Sequence, residues 1–305
     1  MTEPLVWLPF EPDLLGHPPA GLRYEVVVPA DGEVPDSVGE VELYVPPYRF
    51  SEADSSLIPR MTSLKVVQTQ TAGVEHVRPF VPDGVLLCNG RGIHDASTAE
   101  LAMTLMLASL RGLPGFVRAQ DAHVWAPATR PSLADSTVLV VGYGAIGEAL
   151  ERRLDGFEVE VVRVARTARE GVHGYDDLAA LLPEADVVVL VVPLTDTTRR
   201  MVDADFLARM RDGALLVNVA RGAVVDTGAL VEELRRGRLS AALDVTDPEP
   251  LPDDHPLWDC PNLLVSPHVG GASTAMEPRS YALVREQLSR FAAGEPLLNV
   301  MSGDY

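Results

Sequence analysis

The chain has little that would place it outside the ordinary interior of a cell. Among 305 residues there are two cysteines, Cys88 and Cys260. They offer neither a disulfide framework nor metal-ligand spacing, so a reducing cytoplasm is the expected location and no metal is expected. No apolar run approaches the roughly 20 residues that a membrane span requires. The opening "MTEPLVWLPFEP" has no basic segment ahead of an apolar core, so no signal peptide is expected. Positive charge is scarce, with 25 basic against 44 acidic residues and a formal net charge of -19. A nucleic-acid backbone or an anionic membrane is therefore repelled on average, and the acidity reads as solubility. Internal repeats and low-complexity tracts are absent too.

What is present is a long series of short apolar strands. "PLVWL", "YEVVV", "VELYV", "LKVVQT" and "GVLLC" alternate with Pro, Gly and Asp clusters over the first hundred residues. "STAELAMTLMLASL" (97–110) predicts a largely buried helix, capped by Ser97 or Thr98, and "ATRPSLADS" a linker surface. A second series follows: "TVLVVG", "VEVVRV", "DVVVLVV", "GALLVNV", "LSAALDV" and "NLLVSP". Helices are predicted between most of them, at 146–154, 176–182, 203–210 and 226–235. A last helix, about 273–293, is placed to carry the chain back to the first domain. Continuous Val/Leu strands alternating with helices mean parallel sheets covered on both faces. The fold class is thus α/β with two parallel-sheet domains, one at 1–98 plus 279–305 and one at 99–278.

"VLVVGYGAIGEAL" holds Gly142, Gly144 and Gly147 in G-x-G-x-x-G spacing, after a strand and at the opening of a helix. The first glycine allows the turn, the second a close pyrophosphate and the third close helix–strand packing, with the helix-start amides around Ala145 and Ile146 facing the anion. A tight turn that binds nothing is the alternative. The next strand ends in Ala165-Arg166-Thr167, 18 residues beyond Gly147. An acid there would bind the adenosine ribose of NAD and repel the 2′-phosphate of NADP. A small neutral residue, a cation and a hydroxyl favour NADP, because arginine grips phosphate bidentately. A solvated arginine face is the alternative.

Arg221, Glu249 and His268 each stand just past a buried strand, 28 and 19 residues apart. That edge of an α/β sheet is where ligands bind. Reduction of a carbonyl by hydride needs a proton donor, which histidine supplies near neutral pH. A carboxylate beside it fixes and charges the ring, and an arginine polarises the carbonyl and pairs with a substrate carboxylate. Singly, these residues also read as a turn cap, a surface acid and a loop histidine.

With "TAGVEHV", "CNGRGIHDASTAEL", "VNVARGAVVD" and "ALDVTDPEPLPDDHPLWDCPNLLVSPHVGG", the sequence closely resembles the D-isomer-specific 2-hydroxyacid dehydrogenases over roughly Gln68 to Leu283. The resemblance implies two Rossmann- or flavodoxin-like domains with the active site in the cleft between them, a homodimer, and NAD(P)-dependent interconversion of 2-oxo and (R)-2-hydroxy acids. Arg221, Glu249 and His268 fall on the catalytic positions, and the Ala72 and Gly73 amides where the substrate carboxylate is held. Asp244 matches a nicotinamide carboxamide contact, and Pro193 and Thr195 the adenine side. Val219 and Ala220, and Gly270 after His268, also fall on the cofactor side. The family's common strand-end Asp is missing, again favouring NADP over NAD. "NGRGIHDAS" differs from the commoner aliphatic version of that loop, with His94 and Asp95 either altering substrate fit or serving as a plain interdomain hinge. The His/Glu pair argues against the formate-oxidising branch, which uses glutamine. The leading expectation is a glyoxylate/hydroxypyruvate-type reductase. The alternatives are a same-fold dehydrogenase with another hydride donor, such as phosphite, and a non-enzymatic dinucleotide-sensing protein of the co-repressor kind.

Overall fold

The computed structural model describes residues 3–28 and 34–301. In chain order its first strands are β1 (Leu5–Leu8), β2 (Arg23–Val26) and β3 (Val41–Tyr44), then helix α1 (Glu52–Leu57), β4 (Val66–Gln68) and β5 (Leu86–Cys88). Helices α2 (Asp95–Leu110) and α3 (Leu113–Asp121) follow, then β6 (Thr137–Val141), α4 (Ala145–Leu154) and β7 (Glu160–Val164). Next come α5 (Leu178–Leu181), β8 (Val187–Leu190), α6 (Ala204–Arg209), β9 (Leu215–Asn218) and α7 (Thr227–Arg235). The series closes with β10 (Ser240–Leu243), β11 (Leu263–Val265) and α8 (Met276–Ala293). The chain divides into two compact units, one made of residues up to His94 and from Thr274 onward, the other running from Asp95 to Ser273.

The first unit holds a five-stranded sheet in the order β2-β1-β3-β4-β5, with every pairing parallel. The order reverses between β1 and β3, as in doubly wound folds. Trp7, Tyr44, Ile58 and Val67 fill the core on one face, and Val6, Leu43, Val284 and Leu288 fill the other. α8 covers that second face. Helix α1 starts at a capping box, where Ser51 and Asp54 each bond the other's backbone N–H.

The second unit holds a six-stranded parallel sheet, β11-β10-β9-β8-β6-β7, whose order reverses between β6 and β8. Its inner strands β6, β8 and β9 are Val/Leu runs buried on both faces, as a helix-covered parallel sheet requires. Helix α2, expected over 97–110, begins at Asp95, so Ser97 and Thr98 lie inside it rather than capping it. It has no single apolar stripe, because it is packed on several sides, by α4 and by β9 and β10. Helices α6 and α7 open on Asp203 and Asp226, whose carboxylates accept from Phe206 N and Ala229 N.

Two predicted helices differ in the structure, and one helix was not predicted. The 176–182 segment is one α-turn, Leu178–Leu181, flanked by 3-10 turns, because Pro183 cannot donate to a continuing helix. The last helix starts at Met276, with Pro278 tolerated in its first turn. Helix α3 has no counterpart among the predicted elements. Its "LPG" opening reads as a turn, yet proline is well placed in a first turn, and Gly112 (φ 67°) breaks the chain direction after α2. Both cysteines are free and buried, and burial pushes the Cys88 thiol up to about 11, so it is neutral at ordinary pH. Among the described residues no helix is long and apolar enough to cross a membrane.

Candidate active site

The glycine turn sits at the switch point of the second sheet, between the ends of β6 and β8. A Cβ on Gly142 would lie 2.6 Å from the Val191 carbonyl oxygen, and one on Gly147 would lie 2.6 Å from that of Gly142. Gly142 also adopts φ 106°, which side chains resist. In front of Gly144, by contrast, no protein atom lies within 4 Å of where a Cβ would stand. The backbone there meets solvent at the first turn of α4, where Ala145 and Ile146 begin the helix and its N–H groups favour an anion. The turn therefore fits a dinucleotide pyrophosphate.

Around this turn the basic stretch after β7 separates into different roles. Arg163 is committed to Glu151, with Nε 2.9 Å from Oε2 and Nη2 closing a second bond. Tyr143 donates its hydroxyl to the same carboxylate. Arg163 holds the Glu151 carboxyl below the usual range, while burial and the Glu151 bond push the Tyr143 phenol up. Arg169 reaches back to the glycine turn. Its guanidinium lies 5.8 Å from the Tyr143 ring centroid and donates to the Tyr143 carbonyl at 2.7 Å. A tight reversal, with paired bonds between Arg169 and Val172, turns the chain to allow this. Ala165 pairs with His173 O, and Arg166 and Thr167 are exposed just beyond. Arg166 lies near Tyr175, whose phenol burial pushes up and Arg166 draws back down. Arg169 was not among the residues that sequence reading put forward for the cofactor. The signal for it was Gly171 (φ 70°), which marks the reversal.

Pro193 and Thr195 lie in a loop after β8, closed on itself by Thr198. The Thr198 hydroxyl donates to Pro193 O at 2.6 Å and accepts from Thr195 N at 2.8 Å. Thr198, 2% exposed, also lay outside the residues expected from sequence.

Three strand ends bring the polar residues forward. At the end of β9, Asn218 is buried, its side chain accepting from Ala220 N at 3.0 Å and donating to Arg221 O at 3.0 Å. It thereby fixes the Val219-Ala220-Arg221 backbone. The Arg221 guanidinium donates to Ala220 O at 2.7 Å. Gly222 packs directly on the chain after β10, with a Cβ position 1.9 Å from Thr246 O. Thr227 reinforces this contact by donating to Asp247 O at 2.8 Å.

At the end of β10, Asp244 is 3% exposed and organises the loop after β11. Its Oδ1 accepts from Ser266 Oγ at 2.6 Å and Val269 N at 2.9 Å, and its Oδ2 from Gly270 N at 2.8 Å. His268 N donates to the Asp244 carbonyl at 2.8 Å. Held this way, His268 adopts φ 52°, a sparsely populated conformation for a non-glycine residue. Its Nδ1 lies 2.5 Å from Glu249 Oε1, with side chains 47% and 39% exposed. A carboxylate only accepts, so Nδ1–H is the donor and Nε2 is left as the ring's outward nitrogen. The structure therefore joins Glu249 to His268 directly, and the Arg221 segment to the Glu249 segment through Gly222.

In the first unit, Ala72 and Gly73 lie in the loop after β4. Asn89 donates to Ala72 O at 3.0 Å and Thr71 Oγ1 to Gly73 O at 2.7 Å. His94 is buried, with Nε2 3.0 Å from Gln70 O and its ring centroid 5.5 Å from that of Tyr48. Asp95 opens α2.

Residues 103–270 match the family model of the D-isomer specific 2-hydroxyacid dehydrogenase NAD-binding domain. The chain is 31% identical over 293 residues to a glyoxylate reductase of Thermococcus litoralis, covering 90% of this chain and 88% of that protein. The crystal structure of a D-isomer specific 2-hydroxyacid dehydrogenase from Xanthobacter autotrophicus Py2, in complex with NADPH and MES, superposes with a TM-score of 0.84. It is 31% identical, covering 99% of this chain and 98% of that one. An NADPH-dependent glyoxylate/hydroxypyruvate reductase of Sinorhizobium meliloti, in complex with NADP and malonate, gives 0.79 at 27% identity, with coverage of 98% and 97%. The chain thus belongs to the D-isomer specific 2-hydroxyacid dehydrogenases, a family of NAD(P)-dependent oxidoreductases.

Proposed function

We propose that this protein is an NADPH-preferring reductase of small 2-oxo acids, of the glyoxylate/hydroxypyruvate type, forming (R)-2-hydroxy acids in a reducing cytoplasm. The observation that carries the reading is the Glu249–His268 pair, at 2.5 Å, beside the Arg221 segment at the carboxyl ends of β9, β10 and β11. A dinucleotide sensor has no need of a proton donor so oriented.

A nicotinamide bound beside these residues would supply a hydride for the 2-oxo carbon. His268 gives the Nε2 proton to the carbonyl oxygen, so that hydride and proton together complete the hydroxyl group. Glu249 keeps the imidazole oriented through Nδ1–H and balances the charge of the protonated ring. Arg221 draws electron density from the carbonyl and pairs with the substrate carboxylate. In the first unit, the Ala72 and Gly73 amides receive that carboxylate. On the cofactor side, the glycine turn with Ala145 and Ile146 receives the pyrophosphate, and Pro193 and Thr195 line the adenine. Val219, Ala220, Asp244 and Gly270 frame the nicotinamide. Arg166 and Thr167 hold the adenosine 2′-phosphate, with Arg169 adding positive charge beside the turn. In this reading residues 99–278 are the dinucleotide-binding domain, and 1–98 with 279–305 the substrate domain.

Steady-state oxidation of NADPH with glyoxylate, hydroxypyruvate and pyruvate tests the reading. Turnover with the first two is the expected result, and tight NADPH binding without turnover of any 2-oxo acid would exclude it. In the double variant Ala165→Asp, Arg166→Ala, the ratio of kcat/KM for NADPH over NADH is expected to fall at least about tenfold, since one charge-assisted contact is lost and a repulsive acid gained. An unchanged ratio removes the 2′-phosphate assignment.

A homodimer is part of the same proposal. Helix α3 and the chain after it carry Trp125, 95% exposed, with Leu113, Val117 and Val124 at least half exposed. Phe116, His123 and Pro127 line a groove beside Trp125. Such an apolar surface fits burial against a second copy. Light scattering is expected to give twice the chain mass, and Trp125→Glu the mass of one chain.

A further inference from the structure

The loop that carries Ala72 and Gly73 is held from beneath by buried polar side chains, two of which come from α8. Ser280, 1% exposed, donates its hydroxyl to Gln70 Oε1 at 2.8 Å, and Gln70 Nε2 donates to Pro46 O at 2.9 Å. About two turns further on, Gln287, also 1% exposed, donates to Gln68 Oε1 at 2.6 Å. Gln68 Nε2 then donates to Thr69 O at 2.7 Å and Asn89 O at 3.1 Å. Gln287 is itself fixed by the Leu298 backbone, accepting from N at 2.7 Å and donating to O at 3.0 Å.

These bonds anchor Gln68, Gln70 and Asn89, which flank the carboxylate loop, and the loop carbonyls are engaged by the groups beside them. Gln70 O faces His94 Nε2 at 3.0 Å, and Thr71 O accepts from Thr69 Oγ1 at 2.9 Å and Gly90 N at 2.7 Å. Ala72 O accepts from Asn89 Nδ2 at 3.0 Å. A trans peptide is planar, so each carbonyl points opposite to the N–H of the residue that follows. Donors that fix Thr71 O and Ala72 O therefore aim the N–H groups of Ala72 and Gly73. The aim of those two amides is thus set by Thr69, Asn89 and the Gly90 N–H, whose segments the buried Gln68 and Gln70 side chains anchor.

We propose that Ser280 and Gln287 of α8, acting through Gln70, Gln68 and Asn89, are positioning residues that set the affinity for the substrate carboxylate. The inference rests on the assignment of Ala72 and Gly73 above. Packing alone does not call for these groups. Val284 and Leu288 already bury α8 against the sheet, and apolar side chains in place of the amides would hold the helix as well. A directional network is what apolar packing cannot supply.

The test compares Ser280→Ala and Gln70→Met with the unaltered enzyme, in steady-state NADPH oxidation and in inhibition by oxamate. In both variants the KM for glyoxylate and the Ki for oxamate are expected to rise together by about tenfold, with kcat and the KM for NADPH within about twofold. Ser280→Thr, which keeps the hydroxyl, is expected to return both constants towards the unaltered values. Equal losses in kcat and NADPH affinity, or unchanged glyoxylate KM and oxamate Ki, would overturn the relay while leaving the reductase reading in place. An unaltered enzyme that turns over no 2-oxo acid would instead remove the reading, and the relay with it.

Discussion

His268→Gln is expected to lower kcat by roughly 10²–10⁴-fold, while the KM for NADPH stays within about twofold. Glutamine keeps a similar reach and can still donate to Glu249, so the fold and the turn around φ 52° are retained as far as any substitution allows. What it cannot do is release a proton to a developing alkoxide. The separation of the two constants is the informative part. The pyrophosphate turn lies at the other end of the sheet edge, at Gly142–Gly147, so a loss of cofactor affinity matching the loss of kcat would mean that His268 supports the cofactor rather than the chemistry. The companion variant Glu249→Gln keeps a hydrogen-bond acceptor at Nδ1 but removes its charge. It is expected to lose less than His268→Gln, because the ring stays oriented while the protonated form loses its counter-charge. Pre-steady-state rates with saturating NADPH distinguish these effects from product release.

The second large effect is expected at Gly222, a residue that takes no part in the chemistry. A Cβ there would stand 1.9 Å from Thr246 O and 2.1 Å from Thr246 C, both backbone atoms. A side chain can swing aside, but a backbone carbonyl moves only with its strand connection. Gly222→Ala must therefore separate the Arg221 segment from the chain that leads to Glu249. A stability loss of about 1–3 kcal/mol is expected from overpacking, read as a lower Tm. A displacement near 1 Å at the reacting groups is expected to cost about 10²-fold in kcat/KM for glyoxylate. Near-native kcat/KM in a folded Gly222→Ala protein would show that the approach of these two segments does not set the geometry of Arg221 and Glu249.

The two effects differ in how visible they were in the sequence. Strand positions were legible because Val/Leu runs bounded by Gly, Pro and Asp have few other readings, and the glycine turn because its spacing has a mechanical cause. His268, Glu249 and Arg221 were legible as residues placed at strand ends, though their meeting was not, since nothing local pairs residues 19 and 28 apart. Asn218 and Thr198 were hidden for another reason. Each acts on backbone only two to five residues away, which looks in sequence like any polar residue in a turn. Helix α3 was hidden because "LPG" resembles a turn. The Gln70–Ser280 and Gln68–Gln287 bonds span more than 200 residues and carry no pattern at all. Arg163 shows the converse. It stood with Arg166 and Arg169 as one basic stretch, yet Glu151 engages it, so only part of that charge faces outward.

The division of the chain also has a consequence for the order in which the protein is made. The unit from Asp95 to Ser273 is continuous, so a ribosome delivers all of it before α8 emerges. Continuous domains fold as units during synthesis. The nascent protein thus acquires its glycine turn and its Glu249–His268 pair first, while the loop at Ala72 and Gly73 still waits for Ser280 and Gln287. On the proposed assignments, competence to bind a dinucleotide would precede competence to bind an acid.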